Sequence, residues 1–117
     1  MEQINRIDLR GTVGFVRSQK INGKTFVRFS VATNYVYKDR SGDPVIETTW
    51  HYVSAWEGKG TQDVTKIEKG SKVNVTGRLR GQRYTDAEGV ERYAYDVAAQ
   101  LVQVIEDNTP LQYEFPG

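Results

Sequence analysis

Residues 61–70 read TQDVTKIEKG, and they interrupt an alternation that runs through the rest of the chain. Val64 and Ile67 stand three apart, a helical rather than a strand spacing, and Gly70 is placed to stop a short helix. On both sides apolar residues recur at every second position, the period of a strand with one buried face. Before the segment, Ile7, Leu9, Val13 and Phe15 share one side, with Arg6, Asp8, Arg10 and Thr12 on the other. Val27, Phe29 and Val31 then oppose Arg28 and Ser30, and a third run follows at TTWHYVSAWEGK, residues 48–59. After the segment, Val73, Val75 and Leu79 oppose Asn74, Thr76, Arg78, Arg80 and Tyr84. The last run, residues 92–105, is apolar on both sides toward its end, as a buried closing strand is.

The polar, glycine-bearing stretches KDRSGDP (38–44) and TDAEGVE (85–91) read as hairpin connections. Three strands, a short helix and two strands predict an all-β domain. The expected architecture is a five-stranded Greek-key barrel of the OB type, with the helix between strands 3 and 4. A small sandwich shares this periodicity, and pattern alone leaves it open. The barrel is expected over residues 1–105, and EDNTPLQYEFPG, residues 106–117, as a short acidic tail without structure.

At 117 residues, 38% of them apolar and 26% charged, the chain suits one soluble domain with a single core. It has no apolar run of membrane-spanning length, and MEQINRIDLRG lacks the apolar core of a secretion signal. There is no cysteine, which excludes disulfides and thiolate metal sites. A cytoplasmic protein is the expectation. The net charge of +1 divides unevenly: sixteen bases face twelve acids in residues 1–105, a net +4, while the last twelve residues carry three acids and no base.

Little here suggests catalysis. The single histidine, His51, lies on the side of its strand with Val53 and Ala55, where a packed or interface residue is commoner than a base. No HExxH or CxxC spacing occurs, and RGQR and GKG match no phosphate-binding loop. No catalytic residue, metal or cofactor is expected. The opposite side of that strand is different, because Trp50, Tyr52, Ser54 and Trp56 share it. Val53 and Ala55 claim the core, so Trp50 and Trp56 are expected to face outward, with Tyr52 a weaker candidate. Arg78, Arg80 and Tyr84 on strand 4, and Tyr35, Tyr37, Lys38 and Arg40 at the end of strand 2, offer rings and cations for the same surface. Bases of a single strand stack on rings while Lys and Arg neutralise phosphates. A duplex hides its base faces. Tyr93 and Tyr95, at core parity on the last strand, are expected to pack inside. The competing reading is a protein-interaction module whose tryptophans bury against a partner.

NRIDLRGTVG, FSVATN, ETTWHYVSAWEGK and EKGSKVNVTGRLRGQRYTDAEGVERYAYDV together resemble the bacterial single-stranded DNA-binding protein family, in order from Asn5 to Ile105. The resemblance implies an OB-fold that assembles as a homotetramer (a dimer of dimers) and coats single-stranded DNA without sequence preference. It also implies a setting in replication, recombination and repair at the bacterial nucleoid. The family's four stacking positions fall at Tyr37, Trp50, Trp56 and Tyr84. Tyr37 and Tyr84 replace the tryptophans of well-studied relatives, and Trp56 replaces a phenylalanine. Basic positions of the family are matched by Arg6, Lys38, Arg40, Lys69, Arg80 and Arg83, with Lys59 one position from the family's lysine. His51 matches a histidine at a subunit interface. The C-terminus departs from the pattern, because the long linker and acidic tip that recruit other proteins are missing after Ile105. That departure also fits a primosomal, replication-restart relative, which is expected to be a dimer.

Overall fold

The computed structural model describes residues 1–116. Five strands, β1 (Ile7–Ile21), β2 (Lys24–Lys38), β3 (Pro44–Trp56), β4 (Lys72–Thr85) and β5 (Glu91–Ile105), close a barrel in the order β1-β2-β3-β5-β4. All pairings are antiparallel except β3 with β5, which run parallel at Val53–Val97 and Ser54–Ala98. That closure makes the Greek key of an OB-fold and rules out the sandwich. The interior is filled by Val13, Val27, Phe29, Val31, Val53, Ala55, Val73, Val75, Val97 and Val102, mostly the alternating residues of each run.

The interrupting segment is shorter than expected. It forms a five-residue 3-10 helix, Gln62–Lys66, and Ile67 is already extended. Val64 and Ile67 are both buried and cap the barrel, so their spacing reflects burial while the helix itself stays one turn long. Gly70, at φ +92°, belongs to a separate turn, in which Ser71 N–H donates to the Glu68 carbonyl at 3.0 Å. Asp63 ties the helix to β5 by accepting from Val104 N–H at 2.9 Å.

Both expected hairpins are present and share one construction. Asp39 Oδ1 accepts from the N–H groups of Ser41 and Asp43, each at 2.9 Å, and Asp86 Oδ1 accepts from those of Glu88 and Val90 at 3.0 and 2.9 Å. Three residues beyond each aspartate, Gly42 and Gly89 take φ of +84° and +80°, which glycine adopts without steric cost. β1 pairs with β2 only as far as Ala32, and with β4 only as far as Gly77. The remaining lengths of β2–β3 and β4–β5 therefore stand out from the barrel as two-stranded arms.

Two bulges break the simple alternation of inward and outward positions. In β1 the pairs Val13–Val31 and Val16–Phe29 enclose one extra residue, so Val16 turns inward and Phe15 is exposed. In β5 the pairs Thr76–Leu101 and Gly77–Ala99 enclose Gln100. Tyr93 and Tyr95 keep the parity of Val97, yet each is 63% exposed rather than packed, because they lie on an arm with no barrel wall opposite. Leu79, also expected in the core, is exposed for the same reason.

The acidic end is placed against the body rather than free of it. Lys72 Nζ donates to the carbonyls of Asp107 and Thr109 at 3.0 and 2.6 Å. Glu114 then bridges to the edge of β2 left open by β1: its N–H donates to the Asn34 carbonyl at 3.0 Å and its carbonyl accepts from Val36 N–H at 2.9 Å. An open edge offers unpaired backbone groups, and an extended segment satisfies them whatever its charge.

Candidate nucleic-acid interface

β3 presents Trp50, Tyr52, Ser54 and Trp56 on its outer side, backed across the β2 ladder by Ala32, Ser30, Arg28 and Phe26. Trp50 and Trp56 are 51% and 46% exposed, so neither ring belongs to the core. The Trp50 indole crosses β2 and lies on Gly14 of β1. A Cβ at position 14 would stand 2.4 Å from the ring and 2.7 Å from Ser30 Oγ. Trp56 is propped by Phe26, with ring centroids 4.8 Å apart and planes tilted by 47°. Trp56, Lys59 and Arg80 line one cleft of about 410 Å³ at the end of the barrel.

The other two predicted rings stand on the arms. Tyr84, half exposed, pairs with Arg92 near the tip of the β4–β5 arm. Tyr37 pairs with Val45 on the β2–β3 arm, at the parity of Thr33 and Tyr35 and therefore on the opposite face from Trp50. Its ring centroid is 6.3 Å from that of Tyr35. Lys38 and Arg40 extend the same arm, and Lys69 sits on the turn before β4. Among the described residues, Lys38, Arg40, Lys59 and Lys69 make no ion pair.

The remaining predicted cations are engaged. Arg80 forms a two-pronged pair with Asp96, at 3.0 and 2.7 Å, and Ser54 Oγ donates to the same carboxylate at 2.7 Å. Burial pushes the Asp96 carboxyl up, but the bonds from Arg80 and Ser54 and the charges of Arg80 and Arg28 outweigh it, leaving it below the ordinary value. The bond to Asp96 raises the Arg80 guanidinium in turn. Arg83 donates to Tyr93 OH at 3.0 Å and meets Glu91 at 3.4 Å, both at the surface. Arg6 pairs with Asp8 at 3.1 Å, and the Asp8 carboxyl is lowered first by the Thr76 hydroxyl and then by Arg6. Exposed pairs of this kind exchange partners at little cost.

His51 lies away from the rings. It shares a 2.8 Å hydrogen bond with Thr33 Oγ1, and burial lowers its pKa, which favours the neutral ring. Asp8, Leu9, Asn74 and the tail residues Asp107 and Thr109 to Glu114 line a groove with it. Among the described residues, no group of three or more His, Asp or Glu could hold a metal, and no helix is long and apolar enough to cross a membrane.

Parity missed Gly14, Phe15 and Asp96. The first two sit at the β1 bulge, and a glycine inside a strand, as in GTVGF, was the available signal. Asp96 had none, since its partner comes from a strand sixteen residues away.

The chain matches the model of the single-strand binding protein family over residues 4–105. It is 36% identical over 104 residues to a single-stranded DNA-binding protein of Xanthomonas campestris pv. campestris, covering 87% of this chain and 60% of that protein. A mitochondrial single-stranded DNA-binding protein of Danio rerio is 31% identical over 117 residues, covering 92% and 80%. The chain thus spans about 60% of the length of the first curated relatives it matches. The fold is similar to that of the Plasmodium falciparum SSB in complex with ssDNA, with a TM-score of 0.79 and 22% identity over 91% of this chain and 98% of that one. It is also similar to the small single-stranded DNA-binding protein of Streptomyces coelicolor, with a TM-score of 0.66 and 24% identity over 91% and 97%. The length of the family match and the identity to these relatives place the chain plainly: it belongs to the single-strand binding protein family.

Proposed function

We propose that this protein binds single-stranded DNA without reading its sequence and coats exposed strands in replication, recombination and repair. One observation carries the reading: Trp50 and Trp56 stand outward on a single strand face, half exposed, and Lys59, which makes no ion pair among the described residues, lines the cleft of Trp56. Outward rings cost free energy in water unless something covers them. Bases cover them at roughly 1–3 kcal/mol each. Tyr84 extends the stacking surface onto the β4–β5 arm, Tyr37 offers a further ring on the opposite face of the β2–β3 arm, and Lys38, Arg40, Lys59 and Lys69 take phosphates. Arg6 and Arg83 join them by exchanging their exposed carboxylate partners for phosphates. Arg80, held by Asp96, acts at the cleft of Trp56 and Lys59. The relatives' names support the same substrate.

The protein works in the bacterial cytoplasm as a homotetramer, with His51 and its groove turned toward a second copy. It needs no cofactor and does no catalysis. Titration of tryptophan fluorescence with oligo(dT), beside a duplex of equal length, tests the reading. Quenching by the single strand only, reversed by salt, is the expected result. Absence of quenching by either nucleic acid refutes it and favours a protein partner on the tryptophan face. Sedimentation separates the tetramer from the dimer expected of a primosomal relative.

A further inference from the structure

Between the two tryptophans, β5 parts from β3 and leaves a groove of about 380 Å³. Its floor is the buried pair Phe29 and Val53, and Phe15, Tyr52 and Tyr95 stand along it. We infer that this groove is a further base-binding seat, which takes one nucleotide of a single strand on its way from Trp50 to Trp56. The inference rests on the proposed function and deepens it.

Position is the first argument. Tyr52 is two residues from Trp50 and four from Trp56 on the same strand face, about 7 and 14 Å at the rise of a strand. A single strand that stacks on both tryptophans therefore crosses this groove. Chemistry is the second. Phe15 and Tyr52, 46% and 56% exposed, stand 6.1 Å apart between centroids with planes tilted by 41°. Such open rings offer a π-face to any base. The volume falls at the lower end of the range, about 300–1,000 Å³, that holds small ligands.

Charge is the third. Arg17 and Arg28 face each other across the β1–β2 ladder and both line the groove, and neither is in an ion pair among the described residues. Arg28 lies over Phe26 at 5.7 Å, which leaves its fork of donors available to a phosphate. The one carboxylate in the groove, Asp96, is already bonded to Arg80 and Ser54, so its charge is offset. The last argument is construction. The β1 bulge that turns Phe15 outward is held by Phe15 N–H donating to Ser30 Oγ at 3.0 Å, and the adjacent Gly14 carries the Trp50 ring. One local feature therefore builds the groove wall and the neighbouring platform together.

The test uses the full chain with oligo(dT) carrying a single 5-iodouracil, crosslinked by light and mapped by mass spectrometry. Adducts on Phe15, Tyr52 or Tyr95, beside those on the tryptophans, are expected. In parallel, Tyr52→Ala and Tyr95→Ala are each expected to weaken binding about fivefold or more, the lower end of one lost stacking contact. Tyr52→Phe is expected to bind as the parent does. Arg28→Gln is expected to reduce the salt slope by about 0.7, one phosphate on a single strand. Adducts confined to Trp50 and Trp56, with both alanine variants within twofold of the parent, overturn the seat and leave the proposed function standing. A parent that shows no quenching by oligo(dT) overturns the proposed function instead. If Tyr52→Ala loses its fold, Tyr95→Ala and the crosslink decide.

Discussion

Gly14→Ala places one methyl group under Trp50, and its consequences for stability and binding separate. The new Cβ would lie 2.4 Å from the indole and 2.7 Å from Ser30 Oγ, well inside contact distance for both. The indole has solvent on its other side, being 51% exposed, so it swings away at small cost. Ser30 is less free, because its hydroxyl holds the bulge by accepting from Phe15 N–H. Losing that bond costs about 0.5–1.5 kcal/mol, while replacing glycine inside a strand returns roughly 0.5–1 kcal/mol. Stability should therefore change by less than about 1 kcal/mol. Binding should not be spared, because Trp50 no longer lies on the sheet where a base would meet it. The expected loss approaches that of Trp50→Ala, on the order of 1–3 kcal/mol. Three readings check this: urea unfolding, oligo(dT) affinity at fixed salt, and the emission of Trp50 in a Trp56→Phe background, which should shift to the red. In the Trp50→Ala background Gly14→Ala should cost nothing more, since both changes remove the same contact. Parent-like affinity and unshifted emission for Gly14→Ala would refute the placement of the indole on β1.

Trp50→Ala and Trp56→Ala should each weaken oligo(dT) binding by on the order of 1–3 kcal/mol with the melting curve retained, and unfolding of either variant would assign its ring to the core. Affinity of the parent should fall with salt at a logarithmic slope of about −0.7 per neutralised phosphate, and a flat response between low and moderate salt contradicts phosphate binding. Asp96→Asn leaves the half-buried Arg80 without its charge partner and should destabilise the fold by about 1–3 kcal/mol, measured by denaturant titration. Because the folded-state pKa of Asp96 lies below its unfolded value, its contribution is present above that unfolded value, near 3.9, and is lost as pH falls through the folded one. Acid unfolding of the asparagine variant should lack this component. His51 is also lowered, by burial, so the unfolded chain binds its proton first and stability should decline as pH falls below about 6.5. That decline should flatten in His51→Asn, and an unchanged pH profile would show that the ring is not buried in solution.

The barrel was legible because its strands carry a strong local signal. Val27, Phe29 and Val31, and again Val73 and Val75, alternate with polar neighbours, and only one of the two arrangements of faces buries them. The two hairpin turns were legible for a different reason, their polar residues and glycine between apolar runs, and the structure adds that an aspartate three residues before each glycine satisfies backbone groups within the turn. The interrupting segment was half legible. Burial of Val64 and Ile67 sets a three-residue spacing without specifying how many turns carry it. The tail was not legible, because its partner is an open edge that exists only after the barrel has closed.

The site divides along the same line. Trp50 and Trp56 were readable as outward because Val53 and Ala55 between them are unambiguous core residues. Phe15 was not, because one extra residue in β1 reverses parity from that point on. Tyr93 and Tyr95 kept the inward parity of Val97 and still face solvent, because parity says which side of a strand a residue takes and not whether a wall stands opposite. Position 14 shows what connects these failures. A glycine in a strand weakens it, and a bulge disrupts its ladder, so neither helps the barrel fold. Here both occur within two residues, and together they let one indole lie over the backbone of position 14 and turn one phenyl ring outward beside Tyr52. Local choices that disagree with the fold are expected where another requirement overrides it. The stretch Gly14–Phe15 is such a place, and the surface it shapes is the one proposed to meet DNA.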